Sequence, residues 1–331
     1  MKDPKDWTQK DLHVHLQHAL DVEFWTIPLY LTALYSIKGL SELKPKDYPE
    51  AAKLVQSVVI QEMLHMEIVC NLCTALGYEP RFPTPKYDKN KGIPFIHPKN
   101  SHIPKDLLGY QVKVGPLDAE TLKLFCVVEM PQPWKDIEWA HKKSYESIAE
   151  LYTALKEGLS HHWLAQYVGD EKNTRQKNIF SEYHDSDHLH HGFSQTVNSL
   201  ENALNAIEAI MEQGEGADSG NIPEDFRPPS LEDVDEYHAG WFKGELCHYR
   251  KFNILFHNAR HLPPVHEVID GQEAPEIQTK LEASFEAFRK ELERSYALEG
   301  SEMTPGFWQH MMALPTPIMD LWKLGVCPVW K

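Results

Sequence analysis

The sequence consists of long stretches with helix-like periodicity, separated by polar or proline-rich connections. In these stretches apolar side chains recur at steps of three and four residues, which places them along one face of an α-helix. Only Leu107–Val114 is interpreted as a short strand or an extended segment. The pattern therefore predicts an all-α fold. The predicted helices are a first one capped by Thr8 or Asp11 and ending near Ile37, then Ala51–Leu76, Leu117–Val128, Trp139–Leu159, Val197–Met211 and Leu231–His257.

The connections predict how these helices are arranged. Ser41–Asp47 is short, so the first two helices are expected to form an antiparallel pair. Arg81–Asp106 is rich in proline and has no steady period, and it opens a long crossover over residues 81–131. Residues 1–260 are expected to form a helical bundle that contains this crossover. Residues 261–331 are expected to form a helical extension packed on the bundle.

Two Glu-x-x-His motifs suggest a metal site. Glu62 and His65 lie in the second predicted helix, and Glu245 and His248 repeat the same spacing in the last helix of the bundle. On an α-helix, residues three apart share a face, so each motif offers a carboxylate and an imidazole to one ion. Either motif alone is most simply an ordinary Glu and His pair on a helix surface. Together, within apolar helices, they favour a metal site.

Lone glutamates are needed to complete such a site, because a dinuclear carboxylate centre takes one Glu from each of the other two helices. Glu23 lies within the apolar stripe of the first helix and is the first candidate. Two candidates remain open for the other position. Glu150 is predicted to lie in mid-helix, which suits a bundle interior and makes it the preferred choice. Glu215 lies between two glycines at a helix end and is the alternative.

This set of residues predicts redox-metal chemistry. Four carboxylates neutralise two divalent ions in a buried site, and imidazole suits iron or manganese. The first hypothesis is an enzyme with two iron ions that activates dioxygen to oxidise a small-molecule substrate. The second is an enzyme with two manganese ions that disproportionates peroxide, and the third is a non-catalytic iron-binding module. No side chain is assigned a catalytic role from the sequence.

Composition narrows the class of partner. The 331 residues carry a net charge of −16, which argues against nucleic acid or an anionic membrane surface as a partner. No apolar N-terminal signal and no uninterrupted membrane span is predicted. The five cysteines have no disulfide-type spacing, so reduced thiols in a cytoplasmic protein are expected. A homo-oligomer remains open.

Several motifs resemble a known family. The segment Leu12-His13-x-His15-Leu16-Gln17-x-Ala19-x-x-x-Glu23-x-x-Thr26-Ile27-Pro28 resembles the start of the ferritin-like domain of the iminophenyl-pyruvate dimer synthase family. Members of that family occur in bisindole pathways such as violacein and rebeccamycin biosynthesis. Further similarities cover most of the chain between residues 11 and 252. They are Glu62-x-x-His65, Asn71-Leu72, Ala75-Leu76-Gly77, Glu129-x-Pro131, Ile148-x-Glu150-x-Tyr152, Gln213-Gly214-Glu215-Gly216 and Glu245-x-x-His248-Tyr249.

The resemblance implies a ferritin-like four-helix bundle, here with a long crossover and C-terminal helical additions. It implies metal ligation by the motif residues Glu23, Glu62, His65, Glu245 and His248. Both Glu150 and Glu215 fall within matching motifs, so the resemblance does not choose between them. It also implies oxidative chemistry on a substrate derived from an amino acid.

Overall fold

The computed structural model of the protein describes residues 1–88, 92–131, 137–179, 196–214 and 246–331. The described residues are mainly helical and contain isolated β-bridges in place of strands. This confirms the predicted all-α class. The α-helices are α1 (Gln9–Leu34), α2 (Glu50–Ala75), α3 (Ala119–Val128), α4 (Ile148–Gln166), α5 (Leu200–Gly214), α6 (His248–His257), α7 (Pro275–Ala297), α8 (Pro305–Ala313) and α9 (Pro315–Lys323).

Helices α1 and α2 form the most extensive helix pair. Thr8 and Asp11 form a reciprocal capping box that starts α1, so both predicted capping residues take part. By length and apolar composition α2 could cross a membrane, but 89% of its most apolar window is buried inside the protein. Within the described residues α2 is therefore the central core helix, and it carries Glu62 and His65.

Helix α4 is shifted along the chain from its prediction, and this changes the position of Glu150. The expected helix was Trp139–Leu159, whereas Trp139–His141 is a separate 3-10 turn and α4 begins at Ile148. The start is fixed by Ser147, whose hydroxyl accepts a hydrogen bond from the Glu150 backbone N–H at 3.1 Å. Glu150 therefore lies in the first turn of α4 and not in mid-helix.

The helix predicted over Leu231–His257 is described only in its last part, where α6 begins at His248. Cys247 has an extended backbone conformation (φ −63°, ψ 163°), so the helix does not run back through it. No capping residue marks this start, because Cys has no side-chain oxygen that caps a helix. Residues 215–245, including Glu215 and Glu245, lie outside the described residues.

The remaining helices pack around α1 and α2. Helix α4 packs on α1 and α5, α3 packs on α6, and α2 contacts both α5 and α6. The predicted crossover contains no helix in the described parts of residues 81–118. It runs beside α1, where Trp25 donates a hydrogen bond to the Lys86 carbonyl (3.1 Å) and receives one at its own carbonyl from Tyr87 (2.6 Å).

The C-terminal helices also pack on the body of the protein. Phe285 and Phe288 of α7 stack against Phe24 of α1, and the Trp322 indole of α9 donates a hydrogen bond to the Thr32 carbonyl at 2.9 Å. All five cysteines are free, and four of them are buried.

Candidate metal centre

Five buried side chains from four helices converge between α1, α2, α3 and α6. Glu23 comes from α1, Glu62 and His65 come from α2, Glu129 lies at the end of α3, and His248 is the first residue of α6. Each is at most 3% exposed. These five residues are called the Glu/His cluster below. The three-residue spacing of Glu62 and His65 on α2 places both on the face that looks towards the cluster.

The two imidazoles lie between the carboxylates. The His65 Nδ1 atom is 3.3 Å from the Glu23 Oε2 atom. The His248 Nδ1 atom is 2.8 Å from Glu62 Oε1 and 3.5 Å from Glu129 Oε2. The two rings are stacked with their centroids 5.2 Å apart. Glu62, His65 and His248 each present a ligand atom within 4.8 Å of the others, a separation that one metal ion can span.

Each member of the Glu/His cluster has its own polar partner outside the cluster. Such partners orient ligands and are a regular feature of metal sites. The pairs are Thr26 with Glu62 (2.7 Å), Tyr152 with Glu23, Tyr30 with Glu129, Gln213 with His65 (3.1 Å) and Gln61 with His248 (3.2 Å).

Burial and nearby charges shift the pKa values of Glu62 and Glu23 in opposite directions. Burial, together with the charges of Glu129 and Glu23, raises the pKa of Glu62 well above its ordinary value. Burial also acts to raise the pKa of Glu23, but the hydrogen bond and charge of His65 outweigh it and hold that pKa below its ordinary value. Burial and the charge of Glu129 raise the pKa of Tyr30, which therefore stays protonated and donates to Glu129.

One atom of the Glu/His cluster points to a cation. Among the described residues, His248 Nδ1 is buried and has no hydrogen-bond partner, although Glu62 Oε1 lies only 2.8 Å away. An orphaned nitrogen facing carboxylate oxygens is costly in a low-dielectric interior. A divalent ion between them removes both the orphaned atom and the repulsion among the carboxylates. The residues present therefore fit a metal centre.

A cavity of about 20 Å³ adjoins the cluster. This is room for one or two molecules of the size of water or dioxygen. Its polar wall is formed by Glu23, Glu62, His65, Glu129 and Tyr152, and its other wall by Ile148, Ala149, Ile210, Met211 and Gly214.

The structure brings together four of the seven ligands predicted from the sequence, namely Glu23, Glu62, His65 and His248. Glu150 is buried elsewhere, where it accepts hydrogen bonds from the Lys142 ammonium and from the Glu146 backbone N–H (2.8 Å). The other two predicted ligands, Glu215 and Glu245, lie outside the described residues.

Glu129 was not predicted as a ligand, because it lies just after the end of the predicted helix Leu117–Val128. One signal could have identified it. A single carboxylate directly follows the apolar run Leu124–Val128, and such a residue is buried only when something compensates its charge.

The fold and the Glu/His cluster together define a helical-bundle protein with a buried carboxylate and imidazole site. Residues 16–257 match the family model described as ferritin-like, so the chain belongs to the ferritin-like family. The solved structure of a ferritin-like protein from Caulobacter vibrioides is similar over 98% of this chain and 99% of that one, with a TM-score of 0.74 and 27% identity. A search of curated proteins finds no significant match.

Proposed function

We propose that this protein is a dinuclear metalloenzyme that uses iron to activate dioxygen and oxidise a small metabolite. The observation that carries the proposal is the convergence of three buried carboxylates and two imidazoles from four helices. Glu23, Glu62, Glu129, His65 and His248 would hold the ions. Glu245 stays a predicted ligand from its motif match alone, because α6 begins at His248 and the shared face of a helical three-residue step does not apply across the extended Cys247. Glu215 stays one because Gly214, the residue before it, lines the cavity.

The chain's own residues prepare the site for this chemistry. Iron held by these residues would supply electrons for the reduction of dioxygen. Tyr30 and Tyr152 donate hydrogen bonds to Glu129 and Glu23 and thereby fix the direction of each carboxylate. Ile148, Ile210 and Met211 form an apolar wall, which keeps bulk water away from the ions.

The substrate proposal rests on the motif resemblance and on the cavity. The motifs shared with the iminophenyl-pyruvate dimer synthase family favour a substrate derived from an amino acid. The cavity of about 20 Å³ holds dioxygen but not an amino acid. An organic substrate would therefore bind on the side of Ile148, Ile210 and Met211. The same small cavity favours one alternative, disproportionation of peroxide by two manganese ions, because peroxide fits it without a further site.

Metal stoichiometry tests the centre. The protein is stripped with a chelator, loaded with Fe²⁺ or Mn²⁺ under anaerobic conditions, desalted and analysed for bound metal. We expect two ions per chain for the wild type, and loss of bound metal in the variant carrying Glu62→Ala and His65→Ala. Equal metal content in a folded variant and the wild type would falsify the assignment of these ligands.

Oxygen consumption tests the reaction. The iron-loaded protein is mixed with air-saturated buffer in an oxygen electrode, with and without a panel of amino acids and their 2-oxo acids. Uptake that increases with one of these compounds supports the oxidase. Oxygen release from hydrogen peroxide by the manganese-loaded protein, without uptake by the iron form, supports the alternative. Metal binding with neither reaction indicates a non-catalytic iron-binding module.

A further inference from the structure

A buried lysine lies one helical turn beyond His248 on α6. Lys251 is fully buried, and its ammonium group donates a hydrogen bond to the Gln61 Oε1 atom at 2.7 Å. Gln61 is the residue directly before Glu62 on α2 and is also buried. Burying a charged lysine is costly. We therefore ask what the Lys251 ammonium group does beside Gln61.

The same Gln61 oxygen also faces the imidazole of His248. The distance from His248 Nε2 to Gln61 Oε1 is 3.2 Å. An ammonium group can only donate hydrogen bonds, so Lys251 requires that the oxygen of the Gln61 amide, and not its nitrogen, points this way. An amide oxygen can only accept. The proton of a neutral His248 ring must therefore be on Nε2.

This tautomer has a consequence on the other side of the ring. A neutral imidazole with its proton on Nε2 carries an unprotonated lone pair on Nδ1. The His248 Nδ1 atom is the buried atom that faces Glu62 at 2.8 Å and Glu129 at 3.5 Å. The lone pair is thus held at the place where the carboxylate oxygens converge.

We propose that Lys251 and Gln61 are positioning residues that hold His248 in the Nε2–H tautomer and reserve Nδ1 for a divalent cation. This inference rests on the metal centre of the proposed function. It adds Gln61 of α2 and Lys251 of α6, which determine how the ligand His248 presents its ring nitrogens.

His65 provides an internal comparison. Its Nε2 atom lies 3.1 Å from Gln213 Oε1, which resembles the arrangement at His248. Among the described residues, however, Gln213 Nε2 has no hydrogen-bond partner. Within the described part of the chain, no lysine fixes the direction of the Gln213 amide in the way that Lys251 fixes Gln61. The tautomer of His65 is therefore less strongly defined than that of His248.

NMR of the metal-free protein tests the tautomer directly. The chain is labelled with ¹⁵N-histidine, and the His248 signals are assigned by their loss in His248→Gln. We expect the Nε2–H tautomer in the wild type and a mixture of tautomers in Lys251→Met and Gln61→Leu. Gln61→Glu should restore the wild-type tautomer, because a carboxylate also accepts from both groups. A mixture of tautomers in the wild type overturns the proposal.

Cobalt binding gives a second readout, with Co²⁺ as the probe and its visible spectrum as the signal. Loss of an outer partner of a ligating His typically weakens metal binding about 10–100-fold, and we expect this for Lys251→Met and Gln61→Leu but not for Gln61→Glu. Lys177→Met is the matched control. Lys177 is also a buried lysine, and it bonds to the carbonyls of Leu298 and Gly300, away from the cluster.

The outcomes separate this inference from the proposed function. If the wild type binds no Co²⁺, Fe²⁺ or Mn²⁺, the metal centre fails, while the NMR result still decides the tautomer. If the wild type binds Co²⁺ and the folded Lys251→Met and Gln61→Leu variants bind it equally well, only the positioning role is overturned. An equal loss of affinity in Lys177→Met also overturns it, because the effect would then follow from general destabilisation.

Discussion

Glu129 is the least favourably placed carboxylate of the Glu/His cluster. It is the C-cap of α3, where the negative end of the helix dipole opposes a second negative charge. It is also almost fully buried, which adds a desolvation cost. The hydrogen bond from Tyr30 and the nearby His248 ring compensate only part of this cost. The cation of the proposed metal centre would compensate the remainder.

This argument predicts different outcomes for two equally buried glutamates. Glu129→Gln keeps the shape of the side chain but removes its charge, so we expect the variant to lose at least one of two bound ions per chain. Glu150→Gln should keep the wild-type metal content, because Glu150 bonds to Lys142 and to the Glu146 backbone instead. The metal content of both variants is measured by elemental analysis after loading with Fe²⁺.

The stability of the same two variants provides a control. Glu150→Gln weakens a buried hydrogen-bonded pair and should cost about 1–2 kcal/mol of unfolding free energy in urea denaturation. A loss of metal in Glu150→Gln together with full retention in Glu129→Gln would restore the assignment made from the sequence.

The sequence predicted those cluster residues that follow a spacing rule. Glu62 and His65 were found from their three-residue step, and Glu23 from its place within an apolar stripe. Glu129 follows no such rule, since it lies after the end of a helix and reaches the cluster only through tertiary packing of α3 on α6. Glu150 was preferred because its helix was predicted to begin about nine residues too early.

His18 makes the stability of the protein sensitive to acid. Its ring stacks on Phe95 at a centroid distance of 3.8 Å, and burial lowers its pKa to about 4. The unfolded chain therefore binds a proton at His18 as pH falls below the ordinary value of 6.5, whereas the folded protein does so only near pH 4. The stability that the neutral His18 contributes above pH 6.5 is lost progressively as the pH falls from 6.5 to about 4.

His18→Phe tests this linkage, since phenylalanine keeps the stacked ring and cannot be protonated. We expect the loss of unfolding free energy between pH 7 and pH 5 to be smaller than in the wild type by about 1 kcal/mol, a value reduced for the partial exposure of the ring. Urea denaturation at both pH values measures it. An unchanged pH dependence would show that His18 protonates equally easily in both states.

At the scale of single elements, α4 contains a glycine that is required by packing. A Cβ atom at Gly158 would lie 2.4 Å from two ring carbons of Trp7, which is itself buried. Alanine favours an isolated helix over glycine by about 1 kcal/mol, but overpacking of a core costs about 1–3 kcal/mol. Gly158 does not end the helix, since α4 continues past it to Gln166.

We therefore expect Gly158→Ala to destabilise the protein by up to about 2 kcal/mol, against its helix propensity. In a Trp7→Leu background the same substitution should cost less, because the clashing ring is gone and the two sites are coupled. Thermal and urea denaturation of the four proteins of this cycle measure the coupling. Stabilisation by Gly158→Ala in the wild-type background would contradict the packing argument.

Helices with a continuous apolar face were predictable, and their ends were less so. The predicted ranges of α1 and α2 agree closely with the structure, since apolar faces in phase extend over more than twenty residues in each. The starts of α4 and α6 depend on Ser147 and Cys247, single residues whose backbone conformation is set by their surroundings. Local pattern carries little information about such positions.

At the scale of the whole molecule, α1 joins the Glu/His cluster to the C-terminal helices. Glu23 enters the cluster, while the next residue, Phe24, stacks on Phe285 and Phe288 of α7. Thr32, further along α1, accepts hydrogen bonds from the indoles of Trp322 and Trp330 at 2.9 Å each. The residues after α6 thus pack against α1, the helix that carries the predicted ligand Glu23. The C-terminal helices therefore help to hold one side of the cluster in place.

Metal binding should therefore stabilise the whole protein. The members of the Glu/His cluster come from four helices between residues 23 and 248, and unfolding separates them. A ligand that binds only the folded state adds roughly 4 kcal/mol at a concentration a thousand times its Kd. We expect the calorimetric Tm to rise by several degrees on loading with Mn²⁺, which does not oxidise readily, and to return to its starting value on addition of EDTA.

His248→Ala should lose most of this rise, while Gly158→Ala should show a lower Tm with the same rise. Equal Tm values for stripped and loaded wild-type protein would mean that the cluster binds no metal in the folded state.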